Sequence, residues 1–269
     1  MPARLHHERI ARSDSKPSRW LLLTHGIYGA GSNLRQIARK LNDQRRDWGV
    51  VLVDLRNHGR SESGEPPHTI EACAGDLEAL ITELGDIAAI AGHSFGGKVV
   101  LATRPRVTVE QTWLLDSSPS ARPGALDDSE NSVVAVLELM ERLPRTWARR
   151  EDFVSAVVDA GHATVLANWL AMNVVADSSN QLALRLDLAA IRAMLEDYYA
   201  QDLWEVAFAP GGAVEVVAAD HARTISPEDL ARLASAPSHV HTHHIAAGHW
   251  LHVEAPDAVV ELFAANLPQ

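Results

Sequence analysis

Gly92-His93-Ser94-Phe95-Gly96 places a serine between two glycines. An apolar run, Ile87 to Ile90, precedes it and a second, Val99 to Leu101, follows. The pattern is strand, sharp turn, helix, with the serine on the turn. Glycines two residues before and two after it remove side chains that would collide in so tight a turn. The hydroxyl would then stand free beyond the end of a strand, placed to act as a nucleophile. The competing reading is a glycine-rich turn with an idle serine, so the partners of a nucleophile must be sought elsewhere in the chain.

A serine needs a base to take its proton. His249, in Ala247-Gly248-His249-Trp250, follows a strand-like stretch late in the chain and precedes a final helix. A loop there can fold back over the sheet edge. The base needs an acid to fix its tautomer, and two aspartates end strands: Asp116 after Trp113-Leu114-Leu115, and Asp220 after Val216-Val217-Ala218-Ala219. Either gives the chain order Ser, Asp, His. A tetrahedral intermediate needs amide donors for its oxyanion. The Phe95 N–H at the start of the serine helix is one, and the Ile27 N–H of His25-Gly26-Ile27-Tyr28-Gly29 is the other expected donor. Tyr28 beside it is expected to touch substrate. His25 and His58 read as structural, His58 within a hydrogen-bonded turn that braces the site.

Four apolar segments end at small or polar turns: Trp20 to Thr24, Val50 to Val53, Ile87 to Ala91 and Thr112 to Leu115. Helical spacing lies between them, as in Ile70, Cys73, Leu77, Leu80, Ile81 and Leu84. Alternating strands and helices predict a parallel sheet covered on both faces, with its site beyond the carboxyl ends of the strands. The alternation stops from about 121 to 204 and then resumes at Val214. The expected organisation is a core of 1–120 and 205–269 with a helical cap, 121–204, inserted in it. Trp169 and Met172, three apart, are expected on one helix face of that cap, lining an apolar acyl pocket.

The chain has 269 residues, 46% hydrophobic, and a net charge of −11. That field opposes nucleic acid and anionic membranes. The single cysteine, Cys73, excludes an internal disulfide and reads as core filler. Met1 to Arg19 lacks the apolar stretch of a signal peptide, and no run reaches the length of a membrane span. A cytoplasmic protein, monomer or homodimer, is expected. His239, His241 and His243 alternate along one strand face, but no Asp or Cys completes a metal set there, so no metal is expected.

Together HGIYG (25–29), DLRNHGRS (54–61), GHSFGGK (92–98), LLDSSP (114–119) and AGHW (247–250) resemble the α/β-hydrolase superfamily. They are most similar to small bacterial esterases with a GHSxGGK elbow and an RNHG motif. The resemblance implies an α/β fold with a mostly parallel sheet, and a serine esterase that cleaves short to medium acyl esters without a cofactor. In that branch the acid can sit in a D-x-[SA]-P motif, which Asp116-Ser117-Ser118-Pro119 matches, so it favours Asp116 over Asp220. One departure is a nucleophile helix shorter than the family usually has, reading only VVLATRP after Lys98. The same residues would serve a thioesterase or lactonase. A cofactor-free lyase acting on a small carboxylate is a further alternative, and an arginine-lined pocket would be its mark. A ligand-binding receptor on the same fold is the non-enzymatic one.

Overall fold

The computed structural model describes residues 1–128 and 131–269; residues 129 and 130, within the expected cap, lie outside them. The first part of the chain alternates as its apolar runs predict. It forms β1 (His7–Ile10), β2 (Arg19–Thr24), α1 (Arg35–Gln44), β3 (Trp48–Val53), α2 (Ile70–Leu84), β4 (Ile87–His93), α3 (Phe95–Thr103) and β5 (Gln111–Leu115). The middle carries α4 (Ser132–Arg142), β6 (Thr146–Trp147), α5 (Arg150–Asp159), α6 (Thr164–Leu170), β7 (Val174–Ala176), β8 (Leu182–Leu184), α7 (Leu188–Ala200) and α8 (Trp204–Phe208). β9 (Ala213–Ala219), α9 (Pro227–Leu233), β10 (Val240–Ile245), α10 (Leu251–Glu254) and α11 (Pro256–Asn266) close the chain.

The large sheet has the order β1-β3-β2-β4-β5-β9-β10, parallel except for the edge strand β1. Strands covered on both faces need no polar alternation, and every residue of β3 and β5 is buried. α1 and α11 cover one face. α2 and α3 cover the other, and their apolar layer runs on into the helices of the middle segment. α2 starts at Thr69, whose side chain accepts from the Ala72 N–H at 3.1 Å, and stops at Gly85 in the left-handed region. No helix among the described residues is long and apolar enough to cross a membrane.

The middle segment is not all helix. β6, β8 and β7 form a small antiparallel sheet, with β8 between the other two. Strands of two or three residues are too short to display a period-two pattern, which is why a helical reading missed them. α6 also stops at Leu170, and the chain passes through a single tight turn into β7. Asn173 fixes that stop: its Nδ2 donates to the Leu170 carbonyl at 3.3 Å and to the Tyr28 carbonyl, across in the core, at 2.8 Å.

Four further polar contacts help to hold the middle segment over the strand ends. Tyr28 Oη donates to the Val133 carbonyl at 2.8 Å. Asn57 and Asp187 exchange two bonds, and the Ile70 N–H donates to Asp197. The fourth is the deepest. Lys98 on α3 is fully buried, and its Nζ donates to the carbonyls of Ser120, Tyr198 and Gln201 at 2.9–3.0 Å. Two of those carbonyls belong to the end of α7, whose dipole also favours a cation. The Tyr198 ring lies 4.5 Å below the ammonium. Burial, helped by Arg122 nearby, lowers the Lys98 pKa to about 7, against the pull of Asp202, Asp229 and Asp197.

A lysine whose folded pKa is depressed adds stability above its unfolded value, and that stability is lost as pH falls through the folded value. Wild type should therefore gain stability relative to Lys98→Met as pH rises from about 7 to about 10. Urea unfolding of both proteins across that range is the measurement. A difference that stays flat would show that the buried group does not titrate there.

Candidate active site

β2, β4, β5, β9 and β10 all end on one edge, and the residues that follow them meet there. Ser94 follows β4 with φ 52°, and its N–H donates to the Leu115 carbonyl at 3.0 Å. The turn is possible because a Cβ on Gly92 would lie 2.1 Å from the Gly96 carbonyl oxygen. Asp116 follows β5, also at positive φ, with its N–H on the Val217 carbonyl. It is buried, and one of its oxygens accepts from the Ala219 N–H at 3.2 Å. His249 comes from the loop after β10, pinned where the Gly248 N–H donates to Glu254 at 2.7 Å.

These three side chains form one continuous chain of hydrogen bonds. His249 Nε2 lies 3.0 Å from Ser94 Oγ, and His249 Nδ1 lies 2.6 Å from Asp116 Oδ2. With the carboxylate accepting at Nδ1, the proton sits there and Nε2 is free to accept from the serine. Asp220 does not reach the site; it is half exposed and engages His244 on β10 at 2.8 Å. Thr224, from the same loop, does reach it, with Oγ1 3.0 Å from His249 Nδ1. The sequence reading passed over Thr224, since a lone threonine in a loop carries no spacing signal.

Three other histidines shape the surroundings. His25 Nε2 accepts from the Leu55 N–H, so its Nδ1 donates to the Gly26 carbonyl. His58 Nε2 accepts from the Tyr28 N–H at 3.2 Å and its Nδ1 donates to the Arg56 carbonyl. Burial, with His25 alongside, lowers the His58 pKa to about 3, which keeps it neutral and able to accept. Neither the Ile27 N–H nor the Phe95 N–H has an acceptor among the described residues. His93 Nε2 donates to the His249 carbonyl at 2.7 Å and so supports the backbone of that loop. Burial, together with His252 and His249, holds the His93 pKa well below its usual value.

Two compartments meet at Ser94, sharing Ile27, Val133, His249 and Trp250. The first, about 440 Å³, is walled by Tyr28, Val136, Leu166, Trp169 and Val253. The second, about 680 Å³, mixes polar and apolar lining and includes Arg122, Asn131, Tyr198, Tyr199 and Arg223. Of the expected pocket residues, Trp169 lines the apolar compartment, its ring edge-on to Trp250 at 4.5 Å. Tyr28 lines it too, but its hydroxyl is spent on Val133. Met172 does not line it. The turn that ends α6 carries Met172 outward, where it is half exposed and its sulfur accepts from Asn33 at 3.4 Å. His241 and His243 both engage the buried Glu215, and no metal-holding cluster occurs among the described residues.

A strand-elbow-helix nucleophile on a mostly parallel sheet defines a class, and residues 21–262 match the model of the alpha/beta hydrolase family. The chain belongs to that family. It is similar to the sn-1-specific diacylglycerol lipase ABHD11 of Danio rerio, 29% identical over 91% of this chain and 76% of that protein. It is also similar to esterase YbfF of Escherichia coli (strain K12), 26% identical over 89% of each chain. A marine microorganism esterase shares its fold with a TM-score of 0.82, at 20% identity over 98% of this chain and 100% of that one.

If Asp116 rather than Asp220 activates the pair, Asp116→Asn should slow phosphonylation of Ser94 by a fluorophosphonate about 10²–10⁴-fold. Asp220→Asn should stay within about twofold of wild type, as expected for an exposed pair. The reverse ranking would move the acid to Asp220.

Proposed function

We propose that this chain is a serine hydrolase of carboxylic esters with short to medium acyl chains. The observation that carries the reading is the unbroken Ser94–His249–Asp116 chain, at 3.0 and 2.6 Å, opening directly on an apolar compartment. His249 takes the Ser94 proton as Oγ attacks the ester carbonyl. The Ile27 and Phe95 N–H groups receive the oxyanion as charge develops, where preorganised donors count most. His249 then returns the proton to the leaving alcohol, and Asp116 stabilises the imidazolium in between. Water, activated by the same histidine, cleaves the acyl-enzyme. No cofactor enters this mechanism.

The esterase and lipase names of the relatives support the same reaction class. Arg122 and Arg223 are the mark expected of a lyase acting on a small carboxylate. A lyase, however, has no need of an acyl-sized apolar compartment beside an activated serine, and both are built here. In this reading the compartment lined by Trp169 takes the acyl group and the wide one takes the alcohol. The substrate is a small molecule, and the protein works in the cytoplasm as a monomer or homodimer.

The test is hydrolysis of p-nitrophenyl acetate, butyrate and octanoate. Wild type should turn over, and Ser94→Ala or His249→Ala should lose about 10⁴-fold or more in kcat/KM. Trp169→Ala should move the preference toward the octanoate by lengthening the compartment. Equal rates in wild type and Ser94→Ala would remove the serine from the mechanism.

A further inference from the structure

The wide compartment carries two guanidinium groups for which no carboxylate partner is found among the described residues. Arg122 stands on the loop after β5 and Arg223 on the loop after β9, two adjacent strands. In a chain of net charge −11, most arginines meet a carboxylate or a set of carbonyls. These two meet neither among the described residues, and the carboxylate lining the same space, Asp128, is already engaged.

The Arg122 side chain and the backbone of the Arg223 loop are held in place all the same. The Arg122 N–H donates to the Tyr199 carbonyl at 2.8 Å, and its guanidinium lies 5.3 Å over the buried Tyr199 ring. The Arg223 loop is tied by the Asp220 and His221 N–H groups to the carbonyls of Ile245 and Ala247, and by Thr224 to His249. An exposed arginine is ordinarily worth little because it must be ordered and is screened. Here much of the ordering is already done, and the pair shares a half-enclosed space with the nucleophile. The opposite compartment is mostly apolar, and its lining includes neither lysine nor arginine.

We infer that the wide compartment is an anion subsite, and that the substrate is an ester whose alcohol portion carries a carboxylate or a phosphate. The inference rests on the esterase reading for which side the alcohol takes. Arg122 and Arg223 bind the anion as a pair and draw the ester carbonyl over Ser94, so they act on specificity rather than on the bond that breaks.

Three butyryl esters that differ only on the alcohol ring test it: 4-(butyryloxy)benzoate, 4-(butyryloxy)phenyl phosphate and the neutral 4-(butyryloxy)benzamide. Wild type should prefer one or both anionic esters over the amide, and the preferred one identifies the anion. In Arg122→Ala/Arg223→Ala the anionic-to-neutral ratio of kcat/KM should fall about tenfold or more, and salt should erode the wild-type ratio in the same direction. Removing the same charge from α1, in Arg39→Ala/Lys40→Ala, should leave the ratio near wild type. A ratio equal in wild type and the Arg122/Arg223 double variant, or lowered as much by the α1 variant, overturns the subsite. Should wild type hydrolyse none of the three, the esterase reading is what fails. Calorimetric titration of 4-hydroxybenzoate against 4-hydroxybenzamide then decides the subsite alone: binding of the anion that the double variant loses supports it, and equal binding of the two overturns it.

Discussion

Backbone held in the left-handed region at the strand ends is the constraint on which the site depends. Among the described residues five other than glycine have positive φ, and three of them, Tyr28, Ser94 and Asp116, follow β2, β4 and β5. Such conformations cost about 1–3 kcal/mol each and persist only where surrounding bonds over-determine them. Each here is over-determined by a neighbour. Tyr28 is held by His58, Ser94 by the Leu115 carbonyl, and Asp116 by the Val217 carbonyl. The parallel sheet makes this possible, because adjacent strand ends lie about 4.8 Å apart and can brace one another. Ser94, Asp116 and the loop carrying the Ile27 N–H are thereby fixed in one frame.

The middle segment then decides what reaches that frame. It docks by buried and partly buried polar contacts as well as by apolar ones: Tyr28 to Val133, Asn57 to Asp187, Asn173 to Tyr28 and Lys98 to the end of α7. Buried polar groups are costly unless satisfied, so such contacts select one docked arrangement more sharply than apolar packing alone. Three of these contacts start on residues that also shape the site. Tyr28 follows the Ile27 amide, Asn57 precedes His58, and Lys98 lies one helical turn beyond Ser94. Docking of the segment and geometry of the nucleophile are therefore coupled through single side chains.

Much of this was legible in the sequence. Ser94, His249 and the parallel strands that present them rest on local patterns, since the glycines at 92 and 96 are demanded by a turn and the apolar runs by double-sided burial. Asp116 and Asp220 were indistinguishable as strand ends, and only the D-x-[SA]-P likeness favoured Asp116. The structure brings Asp116, not Asp220, to His249. What the sequence hid is set by long-range packing. Met172 is at helical spacing from Trp169, but Asn173 ends the helix by reaching into the core. Lys98 reads as an ordinary charged residue until the carbonyls of residues about a hundred positions away close around it. The three short strands of the middle segment exist only as partners of one another.

An acid on β5 has a consequence for the neighbouring loop. In the alternative arrangement the loop after β9 would have to deliver a carboxylate to His249, and a negative charge would stand at the wide compartment. Here that loop offers the same nitrogen only a neutral hydroxyl, Thr224, and turns Asp220 away to His244. Arg223, one residue before Thr224, thus faces the compartment with no acid of its own loop beside the histidine to neutralise it. Asp116 is buried behind the imidazole and spends its charge there. The position of the acid on the sheet therefore keeps one further negative charge out of the space beyond the histidine, where Arg122 and Arg223 face Asp128. The proposed activation of Ser94 and the proposed selection of an anionic alcohol both rest on that single placement.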